Sequence, residues 1–302
     1  MNNDISIVIL TNNEILHIER AIKNALLLTR YVYVVDSFSK DGTIEMAESM
    51  GVEVHQYNWT ESSNFSKKIN WALDNLPIKT KWLIRLDADE YFLNETIVNL
   101  PRLLSNIGDD INALTLNRRI HFLGKWIKYG GQYPRSAIRI FRNGCVRYED
   151  RLLDEYVRVD NNKILDLPLD FVDDNLNIIS KWIIKHDKYS ILEALEMIHM
   201  ELGLFTRENN VNNIGEIGLL VKKQKTLYSR MPLYWRAFIY FLYRYIVKRG
   251  FLDGIPGFLW NFLQGWWYRT IVDVKISEIK KACGTDIELI KRYVLTRYSL
   301  RI

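Results

Sequence analysis

Two rhythms alternate along the first 116 residues. Ile5–Leu10 is a short, largely β-branched apolar run, the pattern of a strand buried on both faces. From Asn13 to Leu28 the spacing becomes helical, with Ile15, Ile18, Ile22, Ala25 and Leu26 on one face. Tyr31–Val35 reads as a second buried strand. A helix follows, capped by Asp41 or Thr43, running through Ser49 and stopped by Gly51. Val52–Tyr57 is a third strand, Phe65–Leu76 a third helix, Trp82–Leu86 a fourth strand and Ala113–Asn117 a fifth. Strands alternating with helices predict an α/β domain with a mostly parallel sheet and ligands at the carboxyl ends of its strands.

Beyond residue 117 the pattern loosens. Ile138–Phe141 reads as a strand and residues 178–209 as mostly helix. Residues 226–270 change character, with 15 aromatics in 45 positions. The expected division is a catalytic domain over 1–225 and a helical region over 226–302. Charge supports it. Residues 222–302 hold 16 basic and 5 acidic side chains, a net of +11, whereas the first 221 hold 25 and 31, a net of −6. The overall +5 conceals this asymmetry, which points to a polyanionic surface as partner of the tail. Two cysteines, Cys145 and Cys283, make no disulfide framework or metal-ligand pair, so a reducing cytoplasm is expected. Met-Asn-Asn-Asp-Ile-Ser is not a secretory signal. No apolar run reaches the roughly 18–20 residues of a membrane span.

The candidate chemistry lies at strand ends. Leu86-Asp87-Ala88-Asp89-Glu90 places three carboxylates in four residues directly after strand four. Their repulsion needs compensation, and Mg²⁺ or Mn²⁺ supplies it, because hard cations prefer carboxylate and phosphate oxygens. The alternative is an acidic, solvated loop. Asp36 ends strand two and leads into Ser39-Lys40-Asp41-Gly42-Thr43, a tight turn into a helix; an Asp there can accept from a base imide or ribose hydroxyls. Thr11-Asn12-Asn13-Glu14 adds polar groups after strand one. The three clusters converge on one crevice.

Together these segments resemble the inverting glycosyltransferases of family 2, with the GT-A nucleotide-sugar fold, and in particular the bacterial β-glucosyltransferases of lipopolysaccharide core, capsule and O-antigen. Downstream, Phe122-Leu123-Gly124-Lys125-Trp126, Gly130-Gly131-Gln132-Tyr133-Pro134, Arg139-Ile140-Phe141-Arg142 and Arg249-Gly250-Phe251-Leu252-Asp253-Gly254 fit that branch. The resemblance implies that Thr11, Asn13, Glu14 and Asp36 hold the nucleoside, that Asp87 and Ala88 meet ribose or donor sugar, and that Asp89 binds Mg²⁺ or Mn²⁺. It implies UDP-glucose as donor and a lipid-linked or lipopolysaccharide glycan as acceptor. The chain departs from the pattern at three points. Ile69 stands where a basic residue is usual, with Lys67 and Lys68 just upstream and Lys68 assigned to the nucleotide sugar. Phe38 replaces a common Gly, and Asp170 or a neighbour replaces a late His metal contact.

Inversion requires a base for the acceptor hydroxyl. In Tyr148-Glu149-Asp150-Arg151-Leu152-Leu153-Asp154-Glu155 the order of candidates is Glu155, Asp154, Asp150; the alternative is a charged helix face pairing Arg151 with Glu155. Arg139 and Arg142 meet either phosphates or solvent. His121 and His186 read as structural. In the tail, a helix over Leu233–Lys248 sets Arg236, Tyr240, Arg244 and Lys248 in one stripe beside an aromatic face, which suits the anionic surface of the inner membrane at its cytoplasmic side. The alternative is a helical subdomain with internal aromatics. No nucleic-acid motif is present. A nucleotidyltransferase or a non-catalytic nucleotide-sugar or membrane-binding module are the competing functions.

Overall fold

Strand β1 (Ile5–Thr11) is buried along its whole length, and its alternation builds two cores. Ile5, Ile7 and Ile9 pack on one side with Ile18, Ile22 and Ala25 of α1 (Ile18–Leu26) and Leu100 and Leu104 of α4 (Asn94–Ser105). Val8 and Leu10 face the other way, onto Ile69 and Ala72 of α3 (Phe65–Asn75). A strand covered on both faces has no solvent side, which is why its sequence reads as a continuous apolar run. The computed structural model describes residues 4–60, 64–150, 157–205, 228 and 231–300.

Around β1 the sheet grows in the order β3-β2-β1-β4-β8-β6-β11-β5, with β7 on β6. These are β2 (Val32–Asp36), β3 (Glu53–Gln56), β4 (Trp82–Asp87), β5 (Glu90–Phe92), β6 (Ala113–Phe122), β7 (Lys125–Ile127), β8 (Ser136–Arg142) and β11 (Ile164–Asp174). β9 (Val146–Tyr148) and β10 (Val157–Val159) form a separate antiparallel ribbon. Strands β1 to β4 pair in parallel. β8 then enters antiparallel between β4 and β6, and β5 and β7 also pair antiparallel. The sheet is therefore parallel in its first half and mixed in its second.

Several boundaries differ from the sequence reading, each for a local reason. α1 starts at Ile18 rather than Asn13 because Asn13 is left-handed (φ 58°). The next two N–H groups are spent on the Thr43 hydroxyl and the Asp41 carboxylate. Gly42, at φ 93°, takes the cap position of α2 (Thr43–Ser49), while the Asp41 carboxylate accepts from Thr43 N at 3.1 Å. β5, β7, β9 and β10 are three-residue strands, too short to show a period. β11 was masked by Pro168, which the sheet tolerates at a break in register between Asp166 and Asp170.

The chain divides after Asn177, into units of 1–177 and 178–302, earlier than the change in composition at 225. The reason is α5 (Ile179–Leu202), which packs on α8 (Tyr268–Cys283). Lys275 Nζ donates to Asp187 Oδ1 at 2.7 Å, Lys280 to Glu201 at 2.6 Å, and Arg269 pairs with Glu193. Residue 203 is a left-handed Gly that ends α5 short of the expected 209. α6 (Trp235–Leu242) and α7 (Gly254–Asn261) are followed by π-helical turns at Tyr243–Val247 and Phe262–Trp267, and α9 (Ile287–Tyr298) closes the unit. Many of the aromatics pack on one another, Phe238 tilted against Trp266 at 4.9 Å and Trp182 stacked on His186 at 3.5 Å between centroids. The basic stripe of the sequence reading reaches the surface only at Lys248. Arg236 is buried on Asp273, Nε to Oδ1 2.8 Å, and Arg244, eight residues on, is buried as well. A guanidinium with a buried carboxylate partner is stable inside, and that partner lies 37 residues away, out of reach of helical spacing.

Ile9, fully buried in the first core, tests this account. Ile9→Ala is expected to remove about 2–5 kcal/mol, seen as a lower urea midpoint with an unchanged slope.

Candidate active site

The carboxyl ends of β1, β2 and β4 are adjacent, so the loops that follow them meet. Two of these loops are tied together by side chains. Asp36, fully buried, accepts from Thr11 Oγ1 at 2.7 Å, Ser39 N at 2.7 Å and Ser39 Oγ at 2.5 Å. Asn13 answers from the other loop: its N–H donates to Ser39 Oγ at 2.7 Å and its Oδ1 accepts from Lys40 N at 2.9 Å. Burial alone would raise Asp41, yet the bonds from Thr43 and Ile15 hold its carboxyl below the usual range. Glu14 accepts from His17 Nδ1 at 2.6 Å, and His17 Nε2 accepts from Leu176 N at 2.8 Å. The second bond requires an unprotonated Nε2 and so assigns the proton to Nδ1. His17 thus couples the first loop to the end of β11.

Lys68 enters from α3. Its Nζ donates to Thr11 O at 2.6 Å, and Asp36, Asp87 and Glu14 act on it electrostatically. Burial outweighs those three carboxylates and brings the ammonium down to about 8. Lys67, by contrast, turns outward to Asp150 at 3.2 Å.

The acidic run after β4 is compensated differently from the sequence reading. Strand alternation places Arg85 and Asp87 on one face, and Arg85 Nη2 donates to Asp87 Oδ1 at 2.9 Å. Glu90 is buried and held by Arg139 on two atoms, Nε at 3.0 Å and Nη2 at 2.6 Å. Two of the three carboxylates are therefore neutralised by the protein itself, and Arg85 was not singled out beforehand. Asp89, half-buried, accepts from Asn175 Nδ2 at 2.9 Å and pairs with no cation among the described residues. Asp173 is the carboxylate the sequence reading missed. It lies opposite Glu90 in the β5–β11 register, and burial, reinforced by Asp89, pushes it up to about 7. The available signal was a second acidic strand end, Asp170-Phe171-Val172-Asp173-Asp174.

Other expectations resolve as follows. Ala88 is buried within the turn. Asp170 is occupied by Arg119 Nε at 2.5 Å and the Tyr133 hydroxyl at 3.1 Å, away from the role of a metal contact. Arg142 is spent on the carbonyls of Ile111 and Gly108 and lies over Trp82. Arg139 serves Glu90, so neither arginine is a solvated strand residue. Asp150 accepts from Asn64 Nδ2 at 2.5 Å. Asp154 and Glu155 lie outside the described residues. His186 donates from Nδ1 to Trp182 O at 2.8 Å and meets Gln264 at Nε2, with burial lowering it to about 4.

With this geometry in hand, residues 6–152 match the model of "Glycosyl transferase family 2". Those residues, just under half of the chain, are similar to that family. An uncharacterized glycosyltransferase of Rickettsia bellii is 35% identical over 98 residues, 32% of this chain and 31% of that one. Another, RP128 of Rickettsia prowazekii, is 24% identical over 266 residues, covering 84% and 80%. The chain thus spans about a third of the first relative and four fifths of the second. Among solved structures, the mannosyltransferase PcManGT from Pyrobaculum calidifontis, in complex with GDP-Man and Mn²⁺, superposes with a TM-score of 0.52 at 13% identity, covering 91% of this chain and 87% of that one. That likeness shows the GT-A fold.

Lys68 yields a pH dependence. Between about 8 and its ordinary 10.5 the unfolded chain holds a proton that the folded chain has released, so stability gains from this group as pH rises through that window. Lys68→Met is expected to flatten that part of the profile, read as the urea midpoint of both proteins from pH 7.5 to 10.5.

Proposed function

We propose that the chain is a metal-dependent, inverting hexosyltransferase that takes glucose from UDP-glucose and adds it to a lipid-linked or lipopolysaccharide glycan at the cytoplasmic face of the inner membrane. The observation that carries this reading is the meeting of the Thr11–Glu14 loop, Asp36, Lys68 and the Asp87–Glu90 turn at one edge of the sheet, with Asp89 as the carboxylate that no described cation neutralises. The motifs shared with β-glucosyltransferases support the donor and acceptor.

No three metal-ligating side chains converge among the described residues, so those residues alone do not form a cage. The donor set suits Mg²⁺ or Mn²⁺ all the same, since such ions use one or two carboxylates and complete their shell with phosphate oxygens and water. Asp89 would hold the ion. When bound, it would neutralise the diphosphate and improve it as a leaving group.

The chain's own residues do the rest. Thr11, Asn13, Glu14 and Asp36 form a wall for the nucleoside, already tied in place. Lys68 sets a positive charge behind it. Asp87, fixed by Arg85, is directed toward ribose or the sugar, next to Ala88. In the transfer, the acceptor hydroxyl oxygen forms a bond to the anomeric carbon as the bond to the diphosphate oxygen breaks. The base takes the hydroxyl proton. Glu155 is the leading base and Asp154 the second; Asp150 is the third, its carboxylate being occupied by Lys67 and Asn64. A single displacement turns an α-linked donor into a β-glycoside.

Asp89→Ala is expected to abolish transfer and the Mn²⁺-dependent thermal stabilisation by UDP-glucose. In the wild type a donor at about 100 times its Kd adds about 2.7 kcal/mol, enough to read as a shift in Tm. Full transfer by the variant in EDTA overturns the reading, and release of pyrophosphate instead of UDP would assign nucleotidyl transfer.

A further inference from the structure

The turn between α6 and α7 is built inside out. It contains one acid, Asp253, which is buried, whereas Phe251, Leu252 and Ile255 around it are exposed, Ile255 by 76%. Upstream, Ile246 and Val247 are exposed as well. The polar interior is what holds this shape. A Cβ on Gly257 would lie 2.4 Å from Asp253 Cβ and 2.6 Å from Gly250 O, and one on Gly250 would lie 2.5 Å from Asn261 Nδ2. Asn261 Nδ2 in turn donates to Gly257 O at 2.7 Å. Small residues at these two positions let the segment close on Asp253 and Asn261, and this close packing keeps the apolar side chains on the outside. Loops in water show the reverse order.

The exposed residues form one continuous face. Tyr245 touches both Phe251 and Phe258, at 6.2 and 5.6 Å between centroids. The stripe Trp235, Ile239, Tyr243 leads into it at helical spacing, all three exposed. At the crest stand Lys248 and Arg249, both exposed, with Lys248 Nζ 5.6 Å from the Tyr243 ring. The chain reverses at Arg249, whose φ is 58°. Among the described residues from 231 to 262 the cations at the surface are Lys248 and Arg249, and no acid is exposed. Aliphatic and aromatic side chains around two cations, with the acid withdrawn, complement a surface that is apolar inside and negatively charged at its edge. No helix among the described residues is long and apolar enough to cross a membrane.

We propose that this face, Trp235 to Tyr243 together with Ile246 to Phe258, docks on an anionic lipid bilayer, the apolar side chains entering the headgroup boundary and Lys248 and Arg249 meeting the lipid phosphates. The interaction gives the proposed membrane location a physical surface, one that shares only Lys248 with the basic stripe, whose arginines are inside. Binding to this surface needs neither donor nor sugar transfer, so its failure and that of the proposed activity are separable.

The test is co-sedimentation of the full-length protein with vesicles of phosphatidylcholine alone or with phosphatidylglycerol. The wild type is expected to pellet with the anionic vesicles and to be released by salt. Lys248→Gln with Arg249→Asn, the latter chosen because Asn tolerates a left-handed backbone, should lower partition about fivefold per charge. Val247→Asp with Ile255→Asp, at exposed positions where folding is spared, should lower it at least about tenfold per side chain, with unchanged Tm. Wild type that stays in the supernatant with anionic vesicles overturns the proposal, as does undiminished pelleting of the aspartate variant. Equal partition onto both vesicle types overturns the anionic assignment. A wild-type dimer that becomes monomeric in the aspartate variant, with no vesicle binding by either, would assign the face to a second copy of the chain.

Discussion

Everything at the carboxyl edge of the sheet depends on balancing charge in a place with little water. A buried strand that ends in Asp87-Ala88-Asp89-Glu90 concentrates negative charge against an apolar core. The chain meets this with two guanidiniums from two strands, Arg85 on β4 and Arg139 on β8. The second is the more consequential. Burial works against its charge, yet Glu90 holds it protonated above its usual range. Removing either member alone would strand a buried charge at a cost of about 3–5 kcal/mol. Because Glu90 also begins β5 and accepts from Asp87 N at 3.1 Å, the same pair fixes the geometry of the turn. The turn in its turn leaves Asp89 outside the pairing.

That distribution of labour explains which parts of the site could be read in advance. The parallel strands β1, β2 and β4 were legible, since burial on both faces leaves short apolar runs, and their alternation with longer helical segments separated them from helices. So were the acidic strand ends, because they are local. Arg85, Arg139 and Asp173 were not, because their meaning comes from partners across strands. Arg139 is 49 residues from Glu90, and Asp173 meets the β4 turn only through the register of β11 with β5. His17 illustrates the same limit. In the sequence reading it falls inside a helix over Asn13–Leu28; in the fold it precedes α1 and joins Glu14 to the backbone 159 residues on.

The C-terminal unit shows the converse. Its composition was legible, a net of +11 over residues 222–302 interleaved with aromatics. The direction in which those residues point was not. Helical spacing placed Arg236 and Arg244 together and suggested an outward basic stripe, yet both are buried, Arg236 against Asp273. The residues one step round the helix, Trp235, Ile239 and Tyr243, take the outside instead. Periodicity identifies a face. Only a partner, here a carboxylate on α8, decides whether that face turns inward.

The cross-bracing of the first two loops has a consequence for how a ligand is received. Asn13 and Phe38 each reverse the chain with a positive φ, 58° and 55°, conformations that cost a non-glycine residue free energy. They persist because Asp36, Ser39, Asn13 and Thr11 hold one another by short hydrogen bonds. The ordering of these walls is thus completed when the domain folds. A nucleotide sugar bound there as proposed would surrender its own translational and rotational freedom but ask little further entropy of the protein. Recognition there should resemble the filling of a fixed mould more than the closing of a hand, with association governed by diffusion and desolvation.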